Sequence, residues 1–267
     1  MIAWTQVLGA LALVAVAILL SFWRGARLED DIVLAVARSF VQLVAVGYVL
    51  KVIFDAGQVA WALPLLAGMV LFGAFTARGR ATRVPDALPI LVVALGASAA
   101  GTLGVAIVTG ALDANARSLI PVGGMTIGNA MTASAIALDR LGAELSRATA
   151  EVEARLSLGA TSREASAPVV RRSLVAGMIN VIDSTKSAGL VFFPGTMVGM
   201  ILTGAAPLDA VRLQLILFYL LVGGVAIAVV LAVSLASGRF FTSAHQLRES
   251  GRPAAAAPRR PARRRFP

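Results

Sequence analysis

The sequence predicts an all-α protein that crosses a membrane several times. Of its 267 residues, 58% are hydrophobic and only 14% are charged, and the mean hydropathy is +0.84. Soluble domains carry about 25% charged residues and fewer than half apolar ones. Apolar runs long enough to cross the ~30 Å hydrocarbon core recur along the chain. Together these observations indicate a polytopic bundle of membrane-spanning helices.

Seven apolar runs are candidate spans, which would place the two termini on opposite sides of the bilayer. The first run has no positively charged segment before it, so we interpret it as an uncleaved helix rather than a signal peptide. The sixth is too long for one straight span. The runs cover residues 2–22, 32–53, 61–77, 88–108, 119–138, 174–202 and 211–236.

The basic residues predict the orientation. Nineteen arginines fall in the first, third and fifth connections and in the C-terminal tail, whereas only Lys51, Arg117 and Arg212 fall on the other side. Basic residues next to spans are retained in the cytoplasm. We therefore expect an external N-terminus and a cytoplasmic C-terminus, in a multi-pass protein of the bacterial cytoplasmic (inner) membrane. The same rule explains the net charge of +10 better than binding of nucleic acid does.

The expected organisation is a transmembrane domain over residues 1–240, which includes a cytoplasmic segment at 139–172. A tail at 241–267 follows. The tail is rich in Pro, Ala and Arg, cannot bury a core, and is expected to be disordered.

Several kinds of site are excluded by composition. Cysteine is absent and His245 is the only histidine, so disulfides, thiolate metal sites and cysteine nucleophiles are excluded. The chain has no G-x-x-x-x-G-K-[ST] phosphate loop, no H-E-x-x-H and no G-x-S-x-G. We therefore expect a protein that is not an enzyme and that holds no cofactor of its own.

The segment 139–172 contains a motif typical of contact with a motor protein. Glu153, Ala154 and Gly159 have the spacing E-A-x-x-x-x-G, with Leu158 and Ala160 flanking the glycine. Small residues allow a partner to approach closely, a glycine turns the chain, and a carboxylate can pair with a basic group of the partner.

This pattern resembles the EAA coupling motif of prokaryotic ABC permeases, although Arg155 stands where that motif has its second alanine. The alternative is an ordinary amphipathic helix that packs on the bundle. In that case Leu141, Leu145, Val152 and Leu156 would form its buried face.

Polar residues within the spans are the candidates for a translocation path. Ionisable groups in a bilayer cost about 2.5–3.5 kcal/mol each, so each needs a reason. Asp183 would be the best hard-oxygen ligand for a passing cation. The candidates are Arg38 and Gln42 in the second span, Asn129 and Thr132 in the fifth, and Asp183 and Lys186 in the sixth.

Structural roles for the same residues stay open. Asp183 and Lys186 could neutralise each other, Arg38 could extend to a headgroup, and Asn129 could join two helices. Asp183 could also lie at the cytoplasmic interface, because the sixth run is so long.

Two glycine features complete the predictions. Pro194-Gly195 within the sixth run is a candidate hinge for alternating access, or a passive kink. Small-residue spacings predict close helix contacts or a subunit interface. They are Gly124-x-x-x-Gly128, Gly195-x-x-x-Gly199 and Gly96-x-x-x-Ala100-x-x-x-Gly104.

Two longer stretches carry a family resemblance. Residues 120–131 are Ile-Pro-Val-Gly-Gly-Met-Thr-Ile-Gly-Asn-Ala-Met, and Leu-Asp-Arg-Leu follows at 138–141. Residues 181–197 begin Val-Ile-Asp-Ser-Thr-Lys-Ser and end Phe-Phe-Pro-Gly-Thr-Met. With the coupling segment between them, they resemble the Fet-type iron-export permeases, relatives of the plant aluminium-tolerance membrane proteins. The resemblance covers about residues 30–236 and departs from the family at Asn180, where proline is expected.

The resemblance implies a permease of an ABC exporter, working as two copies with a separate ATP-binding subunit that holds ATP and Mg. It implies iron export and resistance to oxidative stress. Because the plant relatives are associated with UDP-glucose or aluminium, a non-metal substrate such as a nucleotide sugar remains an alternative. An ion-gradient-driven secondary transporter or channel, and a membrane partner that transports nothing, are the other candidates.

Overall fold

The computed structural model describes residues 4–25, 28–56 and 58–248, and these residues form helices with no β-strand among them. The predicted all-α class is therefore confirmed. By its contacts the chain divides into two compact units, Met1–Gln58 and Val59–Pro267.

The first unit is a pair of helices, α1 (Trp4–Arg24) and α2 (Glu29–Ala56). The backbone N–H of Leu28 donates a hydrogen bond of 3.0 Å to the Ser21 hydroxyl, which ties the start of α2 to the last turn of α1. Three carboxylates stand in the first turn of α2, where the helix dipole favours negative charge.

The second unit contains the other helices and begins with a 3-10 turn at Val59–Trp61. The N-terminus of the helix Ala116–Arg147 is capped by the Asn115 side chain, which accepts a hydrogen bond from the Ser118 N–H at 2.9 Å. The helices are α3 (Ala62–Arg78), α4 (Ala87–Val108), α5 (Ala116–Arg147), α6 (Thr149–Ser157), α7 (Ser162–Ser187), α8 (Gly195–Leu202) and α9 (Pro207–Arg239).

The core of the second unit lies where α4, α5 and α9 meet, and α7 packs on α5 and α9. Small residues dominate the contacts and let the helices approach closely. Gly224 of α9 is the tightest point. A Cβ there would lie 2.6 Å from Thr126 Cγ2 and closer still to the Thr102 hydroxyl, and the Gly224 carbonyl accepts the Ser98 hydroxyl at 2.7 Å.

Five of the six glycines in the predicted spacings make no close contact within the described chain. A Cβ at Gly96, Gly104, Gly128, Gly195 or Gly199 would meet no other described atom within 4 Å, and Gly124 faces only the flexible Met69 side chain. Spacing alone does not fix a contact, because the facing helix must also present a small surface. The role of these glycines at a subunit interface stays a prediction.

Five helices of the described chain are long and apolar enough to cross a membrane, so the protein is a polytopic helical membrane protein. A further apolar helical stretch is Gly9–Arg24 of α1. The count of seven spans stays a prediction. The five are Glu29–Ala56, Val59–Arg78, Ala87–Val108, Ala116–Arg147 and Pro207–Arg239.

The sixth predicted span, 174–202, is corrected by the structure because it is two helices. The helix α7 ends at Ser187 and α8 begins at Gly195. Between them Gly189 has φ +82°, and its N–H donates to the Phe192 carbonyl at 2.9 Å. This left-handed turn, which favours glycine, interrupts the helix. Hydropathy could not show the break, because residues 188–194 are as apolar as a span.

One end of the second unit, which we call the arginine-rich end, is where α3, α5 and α9 finish and α4 and α7 begin. Ion pairs join its segments: Arg83 contacts Asp139 at 3.2 Å, and Arg239 contacts Asp86 at 3.3 Å. The basic residues predicted to be cytoplasmic in the third and fifth connections all lie at this end. The side of the membrane that it faces stays a prediction.

The tail was expected to begin at residue 241, but residues 241–248 fold back onto the bundle. Phe241 and Leu247 are buried, and the Arg248 N–H donates to the Phe240 carbonyl at 2.8 Å. The Ser162 N–H, at the start of α7, donates to Nδ1 of His245 at 3.2 Å. Burial of these apolar side chains favours order here. The remainder of the predicted tail, 249–267, lies outside the described residues.

Candidate functional site

The predicted coupling segment, 139–172, is almost entirely helical. The helix α5 continues nine residues beyond the predicted end of its span, and α6 and α7 follow, so that only Ala148 and residues 158–161 lie outside helices. Because Leu141 and Leu145 are fully buried, the core continues past the charged residues at which the hydropathy ends. The coupling motif itself lies on the short helix α6.

The motif glycine ends α6. The Gly159 N–H donates to the Leu156 carbonyl, the Ala160 N–H donates to the Arg155 carbonyl, and Gly159 has φ +91°. This is the Schellman arrangement, whose left-handed residue is usually glycine because a side chain there is strained. The structure thus explains why glycine occupies position 159 of the motif, which the spacing alone did not explain.

The opposite faces of α6 differ in burial. Val152 is buried and Leu156 is partly buried against the core, as the amphipathic-helix interpretation expected. The outward face presents Ala150, Ala154 and Ser157, and at its end Leu158 has 88% of its surface exposed. Packing on the bundle and an open, apolar outer face are therefore both present.

Three charged residues lie on α6, and their arrangement differs from that of a simple coupling motif. Arg155, at the position of the second alanine, forms an ion pair of 2.7 Å with Glu151 one turn earlier. Glu153 lies half-buried on the same helix. The exposed ion pair of α6 is thus neutral, and small side chains occupy the rest of its outer face.

A capping box fixes the turn that follows. The Thr161 hydroxyl accepts the Glu164 N–H, and the Glu164 carboxylate accepts the Thr161 N–H at 2.9 Å. The backbone hydrogen bond from Thr161, and secondly its hydroxyl, hold the pKa of the Glu164 carboxyl below its usual range. These bonds set the direction in which α7 leaves α6.

A three-residue ion cluster joins α5 to α7 beside α6. The Glu144 carboxylate, only 12% exposed, accepts from Arg140 of its own helix at 2.9 Å and from Arg172 Nε of α7 at 2.9 Å. Two positive groups on one poorly solvated carboxylate make this a strong contact between two elements. The cluster was not predicted, although the Arg140–Glu144 spacing of one helical turn was visible in the sequence.

The register of α5 against α7 places the polar candidates at one level. Gly177 lies between Ala133 and Ala137 of the antiparallel α5, since its Cβ would stand 3.0 Å from the Ala133 carbonyl oxygen and 2.9 Å from Ala137 Cβ. Six residues further along each helix are Asn129 and Asp183. Both are exposed within the second unit.

These side chains continue an open groove between α5 and α7. At the arginine-rich end the groove has a volume of about 560 Å³ and is lined by Ile136 and Asp139 on one side and by Arg172 and Val175 on the other. Helical spacing extends the α5 wall towards Thr132 and Asn129. On α7 the wall extends towards Asp183 and Lys186. We call this feature the α5/α7 groove.

Asp183 lies eleven residues beyond Arg172, or about 17 Å along the axis of α7. That distance is about half of the ~30 Å hydrocarbon core. The helix α7 is not among the five described helices that are long and apolar enough to cross a membrane. The depth of Asp183 in the bilayer therefore stays a prediction.

No described side chain forms an ion pair with the Asp183 carboxylate or the Lys186 ammonium. The mutual neutralisation considered from the sequence is therefore not present. Asn129 does not join two helices either, because its amide donates to the Met125 carbonyl of its own helix at 2.9 Å. Thr132 likewise bonds the Gly128 carbonyl within α5.

The remaining candidates lie elsewhere. Arg38 and Gln42 are exposed on α2, which belongs to the first unit. Pro194 is the residue before α8, and Gly195 is the first residue of that helix. The hinge candidates therefore stand at the end of the helix break rather than within a helix.

Comparison with known proteins places the chain in a family. The model of a family described as "Uncharacterised protein family (UPF0014)" matches residues 4–241. The chain belongs to the UPF0014 family. No solved structure matches it.

Three UPF0014 relatives align over most of their own length. The rice protein "UPF0014 membrane protein STAR2" is 38% identical, with 90% of this chain and 85% of the relative covered. The protein "ALUMINUM SENSITIVE 3" of Arabidopsis thaliana is 34% identical, with 89% and 87% covered. The "Probable iron export permease protein FetB" of Escherichia coli K12 is 35% identical, with 89% and 92% covered. The resemblance stated from the sequence is thus confirmed.

The described residues of this UPF0014 chain contain no group of three or more His, Cys, Asp or Glu side chains placed to hold a metal ion. The α5/α7 groove has carboxylates at two levels: Asp139 lies at the arginine-rich end, beside Arg140, Arg171 and Arg172, and Asp183 lies further along α7.

Proposed function

We propose that this chain is the membrane permease subunit of an ABC transporter, driven by a separate ATPase that binds α6. ATP and Mg are held by that partner. The observation that carries the proposal is the outer face of α6, which ends in the exposed Leu158. Membership of a family that contains a protein named as an iron export permease supports it.

The chemistry of that face suits a protein partner better than water or lipid. Leu158 lies beyond the end of α6, at the arginine-rich end, and is 88% exposed. Burial of such a side chain by a partner would contribute about 1.5–3 kcal/mol. Ala150, Ala154 and Ser157 let a partner reach the helix backbone closely.

The α5/α7 groove is the proposed translocation path. Exposed Asn129, Thr132, Asp183 and Lys186 would cost free energy if they faced lipid, so we expect a second copy of the chain to cover this face. Two copies, each with its ATPase, form the proposed working unit. Residues 188–194, between α7 and α8, together with Pro194-Gly195, are the proposed hinge.

The proposed substrate is iron or a related metal cation, moved outwards. The name of the FetB relative supports iron, and the Asp183 carboxylate is a suitable hard ligand for a cation in transit. A nucleotide sugar, with its negative charge, would instead favour Lys186 over Asp183.

The first experiment tests docking. The tagged chain should co-purify from native membranes with an ATPase that carries a Walker motif. Substitution Leu158→Ala should weaken the affinity for that purified ATPase roughly 30-fold, or about 2 kcal/mol, because one well-packed anchor is lost. Titration by surface plasmon resonance measures the change.

The matched control is Leu202→Ala. Leu202 is 81% exposed and also ends a short helix before a left-handed glycine, but it lies on α8 at the opposite end. The affinity of the Leu202→Ala variant for the ATPase should stay within twofold of that of the original chain. Transport by the purified chain in vesicles without ATPase or ATP would contradict the proposal and support a secondary transporter or channel.

The second experiment tests the substrate. In inverted membrane vesicles with ATP, the original complex should accumulate ferrous iron. Asp183→Asn should slow this uptake at least tenfold, about 1.4 kcal/mol in the barrier, because the charge that balances the cation is removed. Asp113→Asn, an exposed carboxylate of the α4–α5 connection, is the control and should have no effect.

Cells that lack the protein should also gain iron and sensitivity to peroxide. If cellular iron is unchanged and Asp183→Asn vesicles take up iron normally, the iron assignment is wrong while the docking result stands. Uptake of UDP-glucose that depends on Lys186 would then favour the nucleotide-sugar alternative.

A further inference from the structure

A second cavity lies between the first turns of α7 and the last turns of α9, and Arg171 lines both this cavity and the α5/α7 groove. Its volume is about 650 Å³, within the range of ligand sites. It opens at the arginine-rich end, and we call it the α7/α9 groove. Neither the docking face of α6 nor the polar side chains near Asp183 contribute to its wall.

The charge of the α7/α9 groove is positive and uncompensated. Arg163 and Arg171 line it, two turns or about 12 Å apart on α7, with Ala167 between them. No carboxylate lines the groove, and within the described chain neither guanidinium is in an ion pair. The arginines in ion pairs with carboxylates are Arg83, Arg140, Arg155, Arg172, Arg212 and Arg239.

The opposite wall supplies hydroxyl groups. Ser234 and Ser237 line the groove from α9, one turn apart. The Ser237 hydroxyl donates to the Ser234 carbonyl at 2.9 Å, whereas the Ser234 hydroxyl has no partner among the described residues and can donate to a ligand. Arginine and hydroxyl donors that face one space are the usual groups that bind a phosphate.

Away from the arginine-rich end, the walls become apolar. On α7 the lining continues with Val170 and Leu174. On α9 the same helical face continues from Ser234 to Val230, which is 48% exposed. A ligand that fills this space therefore has an anionic head at the membrane surface and hydrocarbon towards the bilayer interior.

We infer that the α7/α9 groove binds one anionic phospholipid. Its phosphate lies between Arg163, Arg171 and the Ser234 hydroxyl, and its acyl chains lie along Leu174 and Val230. Basic pockets between membrane helices bind anionic headgroups in this way. A soluble phosphate compound would leave the apolar part of the groove uncovered, so a lipid is the better match. The bound lipid would join α7, next to the coupling turn, to α9.

The test uses the full-length chain, delipidated in neutral detergent and titrated with phosphatidylglycerol under native mass spectrometry. One phosphatidylglycerol should bind at least tenfold more tightly than phosphatidylcholine. The double variant Arg163→Gln/Arg171→Gln should remove this preference. The control is Arg80→Gln/Arg147→Gln. It removes two exposed arginines that lie at the same end but outside the groove and form no described ion pair. This variant should bind phosphatidylglycerol with an affinity within twofold of that of the original chain.

A second variant, with unchanged charge, tests the groove in case the arginine double variant does not fold. Ala167 is exposed in the groove wall, and Ala167→Leu fills the space without disturbing the core, so it should also lower phosphatidylglycerol binding about tenfold. Equal losses in the two arginine double variants would overturn the inference, because net charge alone would then explain binding. So would displacement of the lipid by millimolar inorganic phosphate, or equal binding of phosphatidylcholine.

Discussion

Replacement of Gly224 by valine should lower the stability of the fold sharply. A Cβ at this position would lie 2.6 Å from Thr126 Cγ2 and nearer to the Thr102 hydroxyl, with Ser98 Oγ at 3.3 Å. These belong to short, fully buried side chains on two other helices, so none can move aside. Overpacking of this kind costs about 3 kcal/mol or more. The measurement is the fraction of monodisperse protein after heating in detergent.

The neighbouring glycine is the matched control. A Cβ at Gly223 would meet nothing within 4 Å, so Gly223→Val makes the same change of helix propensity without the clash. It should keep its thermal midpoint within about 2 °C, since surface substitutions away from contacts change stability little. Equal destabilisation by the two variants would show that the helix crossing at Gly224 is not tight.

The contrast between Gly224 and the predicted glycine motifs shows where sequence reasoning stops. The G-x-x-x-G spacings were visible, but the contact at Gly224 depends on Thr102 and Thr126, which are about a hundred residues away in sequence. Pattern predicts that a helix has a smooth face. It does not predict which helix meets that face.

The fold class and the position of the coupling motif were predictable for a physical reason. Hydropathy reports the lipid environment directly. The glycine of the E-A-x-x-x-x-G spacing, Gly159, marks the local turn that ends α6. The positions of the helix ends were less predictable from the sequence. The prediction ended α5 at residue 138 because Asp139 and Arg140 are charged, yet backbone hydrogen bonding continues wherever Leu141 and Leu145 remain buried. The start of α7 was not predicted, although the T-x-x-E spacing of Thr161 and Glu164 is a local signal for a capping box.

The candidate path was only partly accessible from sequence. Asn129 and Asp183 were each identifiable as polar groups in an apolar run, but their common level depends on the close contact of Gly177 with α5. The two grooves require two helices each, so no single stretch of sequence contains them. Arg163 and Arg171 looked like ordinary basic residues until their lack of carboxylate partners was seen in three dimensions.

Substitution Glu144→Gln should separate docking of the ATPase from transport. Its carboxylate, 12% exposed, is the only described group that pairs with Arg172, and it also pairs with Arg140. Loss of the charge leaves two guanidiniums side by side, so we expect about 2 kcal/mol of destabilisation. ATP-driven transport should fall 10- to 100-fold, whereas the affinity for the ATPase, set by Leu158, should stay within twofold.

The physical reason is the route that force must take. The nine-residue α6 lies between α5 and α7 in the chain, and its movement can act on both only if they move together. The Glu144–Arg172 contact couples them at the base of the α5/α7 groove. A double-mutant cycle of Glu144→Gln with Arg172→Gln should give a coupling energy of about 1–3 kcal/mol in unfolding.

Glu151→Gln is the matched control for the same chemistry. The Glu151–Arg155 ion pair lies on the exposed surface of α6 alone and connects no second element, so its loss should cost about 0.5 kcal/mol or less and leave transport unchanged. If the two variants impair transport equally, the cluster has no special part in coupling. If Glu144→Gln weakens the ATPase affinity as much as transport, Glu144 supports the docking face, and force reaches the groove by another contact.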